Sequence, residues 1–142
     1  MAISAKQKVI EILFTEQCSC VIASGDVLKI FHERGVKDLY GLLKADPSLL
    51  DGAFVADKVV GKAAASLMIA GGVAAVYAAT VSTPALSLLR CYGVDVTFGS
   101  EVPHIINRAG TDWCPLERLC FQAETVEECL VRIDDFMSTM KN

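Results

Sequence analysis

Three stretches of the chain carry residues whose types and spacing suit chemistry. Asp57-Lys58-Val59-Val60-Gly61-Lys62 combines a carboxylate, two ammonium groups and a glycine. At the start of a helix its backbone N–H groups would point at an anion, and Gly61 would admit close approach. Lys58 or Lys62 would then meet a phosphate. It is not a Walker A loop, because Ala63 follows the Gly-Lys pair and Ala56 stands where an upstream glycine is needed. The alternative is a solvated helix cap, with Gly61 chosen for packing. Ser82-Thr83-Pro84 brings two hydroxyls to another helix start, where they cap the helix or bind a ligand oxygen. Capping alone accounts for both.

The third stretch holds Asn107-Arg108 and, beyond it, Asp112-Trp113-Cys114-Pro115-Leu116-Glu117. Arg108 can clamp a carboxylate or phosphate with two parallel hydrogen bonds. Cys114 precedes a proline that opens a helix, and a thiol at a helix N-terminus gains thiolate character. Cys114 is therefore the candidate nucleophile or modification acceptor. The alternative is a packed, inert cysteine beside a structural Arg–Glu pair. His104 serves as its base only if the fold joins them, which a spacing of ten residues does not establish. Trp113 either stacks on a ligand ring or anchors packing. Cys18 and Cys20, two apart, are expected on one face of a strand. Cys91, Cys120 and Cys129 read as core, and with no CxxC pair no metal site is expected.

The bulk properties bound what these residues can do. A chain of 142 residues with 53% hydrophobic content is expected to fold as one domain with a substantial core. The formal charge of −4 leaves no basic stripe for nucleic acid. MAISAKQKVIEILF lacks the pattern of a secretory signal, so a cytoplasmic protein with reduced thiols is expected. Ala63–Leu89 carries no charge and is long enough to span a bilayer. Gly71-Gly72 and Ser82-Thr83-Pro84 divide it, so it reads as buried helix, strand and helix, with no membrane partner.

The elements that must position these residues follow from periodicity. A helix over Ser4–Gln17 is capped by Ser4. Strands Cys18–Ser24 and Val27–Glu33 form a hairpin about Gly25-Asp26. Gly35 breaks the run before a helix over Val36–Asp46. Ala53–Val60 starts as a strand and enters the next helix, which closes at Gly71. Strand Val73–Thr80, helix Pro84–Gly93 and strand Val94–Gly99 follow. A short helix is expected around Val102–Ala109, then one opening at Cys114-Pro115. Thr125 and Glu128 make a capping box for a last helix, VEECLVRIDDFMSTMK. The central β-α-β-α-β order predicts parallel strands, and with the hairpin a mixed sheet of four or five strands clad by helices.

DKVVGKAAASLM, VAAVYAATVSTPALSLL and INRAG followed by CPLE together resemble a bacterial family of unknown function with a cytidine-deaminase-like fold. The resemblance runs from the hairpin through Glu117. It implies a three-layer α/β/α domain, and it implies no known reaction. Zinc deaminases place a His or Cys and a Glu at one helix start and P-C-x-x-C at the next. The corresponding segments here, Asp57–Ala63 and Ser82–Ser87, have no imidazole or thiol, so zinc and classical deamination are not expected. The expected function is binding of a nucleotide or nucleoside phosphate of the ADP-ribose type. Asp57, Lys58, Gly61, Lys62, Ser82, Thr83, Asn107, Arg108 and Glu117 are the expected ligand residues, and no cofactor is expected. Whether the chain catalyses a reaction stays open. The alternatives are an enzyme or modification acceptor using Cys114, and a non-catalytic domain that assembles with copies of itself.

Overall fold

A computed structural model describes residues 4–33 and 36–139. The expected break at Gly35 and the last residues of the final helix, Met140 and Lys141, lie outside them. The elements run α1 (Ala5–Thr15), β1 (Cys20–Ser24), β2 (Val27–Phe31), α2 (Lys37–Ala45), a 3₁₀ turn (Pro47–Leu49), β3 (Phe54–Val60) and α3 (Lys62–Gly71). They continue with β4 (Ala75–Ser82), α4 (Thr83–Cys91), β5 (Asp95–Val102), α5 (Pro115–Phe121) and α6 (Val126–Thr139). The five strands form one mixed sheet in the order β2-β1-β3-β4-β5. β1 is antiparallel to β2 and β3, and β3, β4 and β5 are parallel. Helices cover both sides, as expected of a three-layer α/β arrangement.

The two sides are unequal. Leu39 of α2, Ala63–Met68 of α3, Leu86 and Leu89 of α4, Leu116 of α5 and Ile133 of α6 share one core with Val55, Val76 and Val81 of the sheet. Among the described residues, α1 alone packs on the other side, setting Val9 and Leu13 against Val21 and Ala56. α3 is buried nearly all round, as a helix apolar on every side must be. Its small residues allow close approach. A Cβ on Gly71 would stand 2.6 Å from Leu50 Cδ1 and 2.7 Å from Leu50 Cβ. Gly71→Ala should therefore cost about 1–3 kcal/mol by overpacking, read as a lower urea midpoint. Gly72, at φ 84°, is the residue that ends α3 in the left-handed conformation.

Several sequence expectations shift. β3 remains extended to Val60, because the β-branched pair Val59-Val60 aligns with Thr80 and Val81 instead of winding into α3. Asp57 and Lys58 are consequently strand residues. β4 starts two residues late, since Val73 N–H is spent on Met68 O at the end of α3. β5 runs through Gly99 to Val102, and no helix forms over 102–109. There Ile106 instead makes an antiparallel bridge with Trp113. Cys18 and Cys20 do not share a face. Cys18 precedes the strand and packs under α1, whereas Cys20 lies in the larger core. Cys91 ends α4 and is exposed, while Cys120 and Cys129 are buried as expected. The uncharged Ala63–Leu89 run divides into α3, β4 and α4, and no helix among the described residues is long and apolar enough to cross a membrane.

Candidate functional site

The parallel strands bend where they approach the starts of α3 and α4. Val55 and Val60 both face the larger core, as do Ala78 and Val81. Strict alternation would separate residues an odd number apart. The register passes from Asp57–Ala78 to Val59–Thr80 and from Ala78–Phe98 to Thr80–Ser100, skipping Lys58, Ala79 and Gly99. The three strands thus switch faces together. A Cβ on Gly99 would lie 2.8 Å from Ala79 O, so the bend needs glycine there. Its consequence is that Val59 and Thr80 turn away from the core at the sheet's C-terminal edge.

These two residues, with Val102, Pro103, His104, Ile105 and Ile106, line an open groove of about 550 Å³. That size suits a small organic ligand. Val59 and Ile106 leave 45% and 51% of their surface exposed. Thr80 adds a hydroxyl to this lining, 3.3 Å from Ser100 Oγ. Lys58 adjoins Val59, and the exposed Arg108 follows Ile106 by two residues.

The groove wall is held by a buried carboxylate. Glu117, 2% exposed, accepts from Lys62 N–H through Oε1 at 2.9 Å and from Ile105 N–H through Oε2 at 2.7 Å. One residue of α5 therefore caps α3 and anchors the loop. The exchange is reciprocal. Lys62 of α3 sends its ammonium to Phe121 O at 3.1 Å and Ala123 O at 2.6 Å, at the C-terminal end of α5. Each charge sits at the helix end whose dipole favours it. Gly61 fits between them: a Cβ there would stand 3.1 Å from Ile105 Cγ1 and 3.3 Å from Glu117 Oε1.

Aromatic stacking closes the loop. His104 lies flat on Trp113 with centroids 3.5 Å apart, and Phe121 meets both rings edge-on. Arg118 covers Trp113 at 4.7 Å and pairs with Asp112. Asn107 Oδ1 accepts from Thr111 N–H at 3.0 Å, fixing the turn between. His104 Nδ1 is buried and has no hydrogen-bond partner among the described residues.

The fold thus joins Gly61, Lys62 and Glu117 into one junction. Lys58 and Arg108 adjoin groove residues along the chain, but the Lys58 ammonium lies over the Phe14 ring at 6.0 Å, and Asn107 bonds to Thr111 within its own turn. The fold does not bring Asp57 to the groove. Asp57 pairs in register with Cys20 and is buried, and loss of solvation pushes its carboxyl up to about 7 against the N–H groups of Val59 and Lys58. Ser82 caps α4 by accepting from Ala85 N–H at 3.3 Å, and Thr83 donates to Glu101 Oε2 at 2.7 Å. Cys114 is half-buried at the N-cap of α5. No hydrogen bond joins it to His104 among the described residues. Sequence reasoning missed Val59, Thr80, Val102 and Ile106. It had placed Val59 where a strand enters the next helix, Thr80 at the end of a central strand, and the last two in a short helix.

Against known proteins, a family model described as "TM1506: Domain of unknown function (DUF1893)" matches residues 8–137. The crystal structure of a DUF1893 family protein (TM1506) from Thermotoga maritima is similar with a TM-score of 0.84 and 26% identity. The match covers 94% of this chain and 92% of that one. No curated protein matches the chain.

Proposed function

The chain belongs to the DUF1893 family of domains of unknown function, and from that premise we propose that it binds a nucleotide or nucleoside phosphate, ADP-ribose-type ligands included. The observation that carries this reading is the groove at the C-terminal edge of the parallel strands, where α/β folds seat their ligands. Its apolar lining, Val59, Val102, Ile105 and Ile106, offers a surface for the face of a base. Arg108, exposed two residues beyond Ile106, and Lys58 enter no ion pair among the described residues and supply charge for a phosphate, Lys58 by swinging from the Phe14 ring over which its ammonium rests at 6.0 Å.

The phosphate seat is assigned to these two cations and not to the start of α3. There Glu117 already satisfies Lys62 N–H, and the Lys62 ammonium is committed to two carbonyls. A second anion would have to displace a carboxylate. The starts of α3 and α4, Gly61-Lys62-Ala63-Ala64 and Ser82-Thr83-Pro84-Ala85, offer no imidazole or thiol and do not fit a zinc ion. The reading is therefore of a zinc-independent binding domain.

Calorimetric titration with AMP, ADP and ADP-ribose tests it. At least one should bind. Thr80→Trp, which fills the groove from a half-exposed position, should abolish that binding while leaving the melting temperature nearly unchanged. Absence of heat with all three ligands at millimolar concentration would defeat the reading, as would equal binding by the folded tryptophan variant.

A further inference from the structure

A second chemically distinct feature lies beneath α5, away from the groove. Cys120 of α5 and Cys129 of α6 are both fully buried and meet across the interface of the two helices. The Cys129 thiol donates to Cys120 O at 4.0 Å. Two cations close the same helix end: Lys62 on Phe121 O and Ala123 O, and Arg132 on Leu119 O at 2.7 Å. Ser66, whose hydroxyl donates to Lys62 O at 2.9 Å, lines the other side. Ordinary packing explains one buried cysteine. It does not account for two facing thiols with an ammonium and a guanidinium beside them.

We propose that Cys120 and Cys129 form a peroxide-responsive dithiol, with Cys129 the attacking sulfur and Cys120 the resolving one. The assignment of roles follows from their surroundings. The Cys120 thiol donating to Cys129 holds the Cys129 thiol well below its ordinary range against the opposing effect of burial, and Ser66, Lys62 and Arg132 add to this. The same contact, with burial, pushes Cys120 up. Of the two thiols, Cys129 is the one that gives up its proton more readily.

The chemistry balances with hydrogen peroxide as oxidant. The Cys129 thiolate attacks one peroxide oxygen, an S–O bond forms, and the O–O bond breaks. The departing hydroxide takes up the proton that Cys129 had released and leaves as water. The Cys120 sulfur then attacks the Cys129 sulfenic acid, the S–S bond forms, and the S–O bond breaks. The second hydroxide takes the Cys120 proton. The two sulfurs give up two electrons, and one peroxide becomes two waters. Because both sulfurs are buried, the oxidant enters when the turn over 122–125 opens. The product staples α5 to α6 and so fixes the helix that carries Glu117.

The sequence makes the test direct. Trypsin cuts after Arg118 and Arg132, so residues 119–132 form one peptide holding both cysteines and no other. Folded protein is treated with hydrogen peroxide, quenched by alkylation and digested. That peptide should appear unalkylated and lighter by two hydrogens, and it should regain two alkyl groups after dithiothreitol. In Cys120→Ser the resolving step is gone, and dimedone should label Cys129 in preference to the more accessible Cys91 and Cys114. The proposal is overturned if the wild-type peptide remains a dithiol while Cys91 or Cys114 oxidises. It is equally overturned if Cys120→Ser, shown folded by circular dichroism, takes dimedone at Cys91 or Cys114 but not at Cys129.

Discussion

Replacing Glu117 by alanine lowers the unfolding free energy by about 3–5 kcal/mol, the sum expected when two buried N–H groups lose a charged acceptor. The donors are Lys62 N–H and Ile105 N–H, and the carboxylate serves each through a different oxygen. Water cannot replace it without opening the loop, because Glu117 is 2% exposed. Glu117→Gln keeps one acceptor oxygen and turns an amide NH₂ toward the other donor. It should cost less than alanine but more than a surface change, about 2–3 kcal/mol. Urea denaturation of the three proteins gives the ranking, and amide hydrogen exchange locates it. Lys62 and Ile105 should lose protection together in both variants. Equal midpoints for all three would remove Glu117 as the residue joining α3, α5 and the groove wall.

Asp57 has the opposite sign. Burial raises its carboxyl from 3.8 to about 7 in the folded chain, a difference worth about 4 kcal/mol at most. Below about pH 4 folded and unfolded chains both hold the proton, and Asp57 costs nothing electrostatically. As pH rises from there to about 7, the unfolded chain releases the proton and the folded chain keeps it. Stability therefore falls across that window and stays reduced above it. An asparagine side chain in its place has no proton to lose and still presents an oxygen to Val59 N–H. Asp57→Asn should thus match the wild type near pH 4 and exceed it by up to about 4 kcal/mol at pH 8. Urea midpoints at the two pH values check this. A difference that does not grow with pH would mean that Asp57 reaches solvent or a cation when it ionises.

What could be read from the sequence divides along a physical line. Local signals were sufficient for the elements. Ser4, Ser82 before Pro84 and Thr125 with Glu128 mark helix starts that the hydrogen bonds reproduce. The β-α-β-α-β order led to the parallel β3-β4-β5 core. Identity within the candidate site was harder. Thr80 was legible as a strand residue and Val59 as one where a strand passes into a helix, but neither as a groove residue, because nothing local announces that three strands will switch faces in one row. The cue available was Gly99, whose missing Cβ makes room for Ala79 O. Lys62 and Glu117 were both selected as ligand residues on charge and position. Their partners lie across 55 to 61 residues of chain, so their engagement with each other's helices was invisible. The same holds for Cys120 and Cys129, each unremarkable on its own helix.

The most direct test of where a ligand sits is an amide correlation spectrum of the isotope-labelled protein titrated with ADP-ribose. The groove reading predicts saturable shifts at Val59, Thr80 and Val102 through Arg108, omitting proline, with Lys62, Ala63 and Ala64 little changed. Shifts concentrated at those three amides and at Thr83 would place the anion on the helix starts instead. That result would contradict the internal Glu117 cap on which the assignment rests.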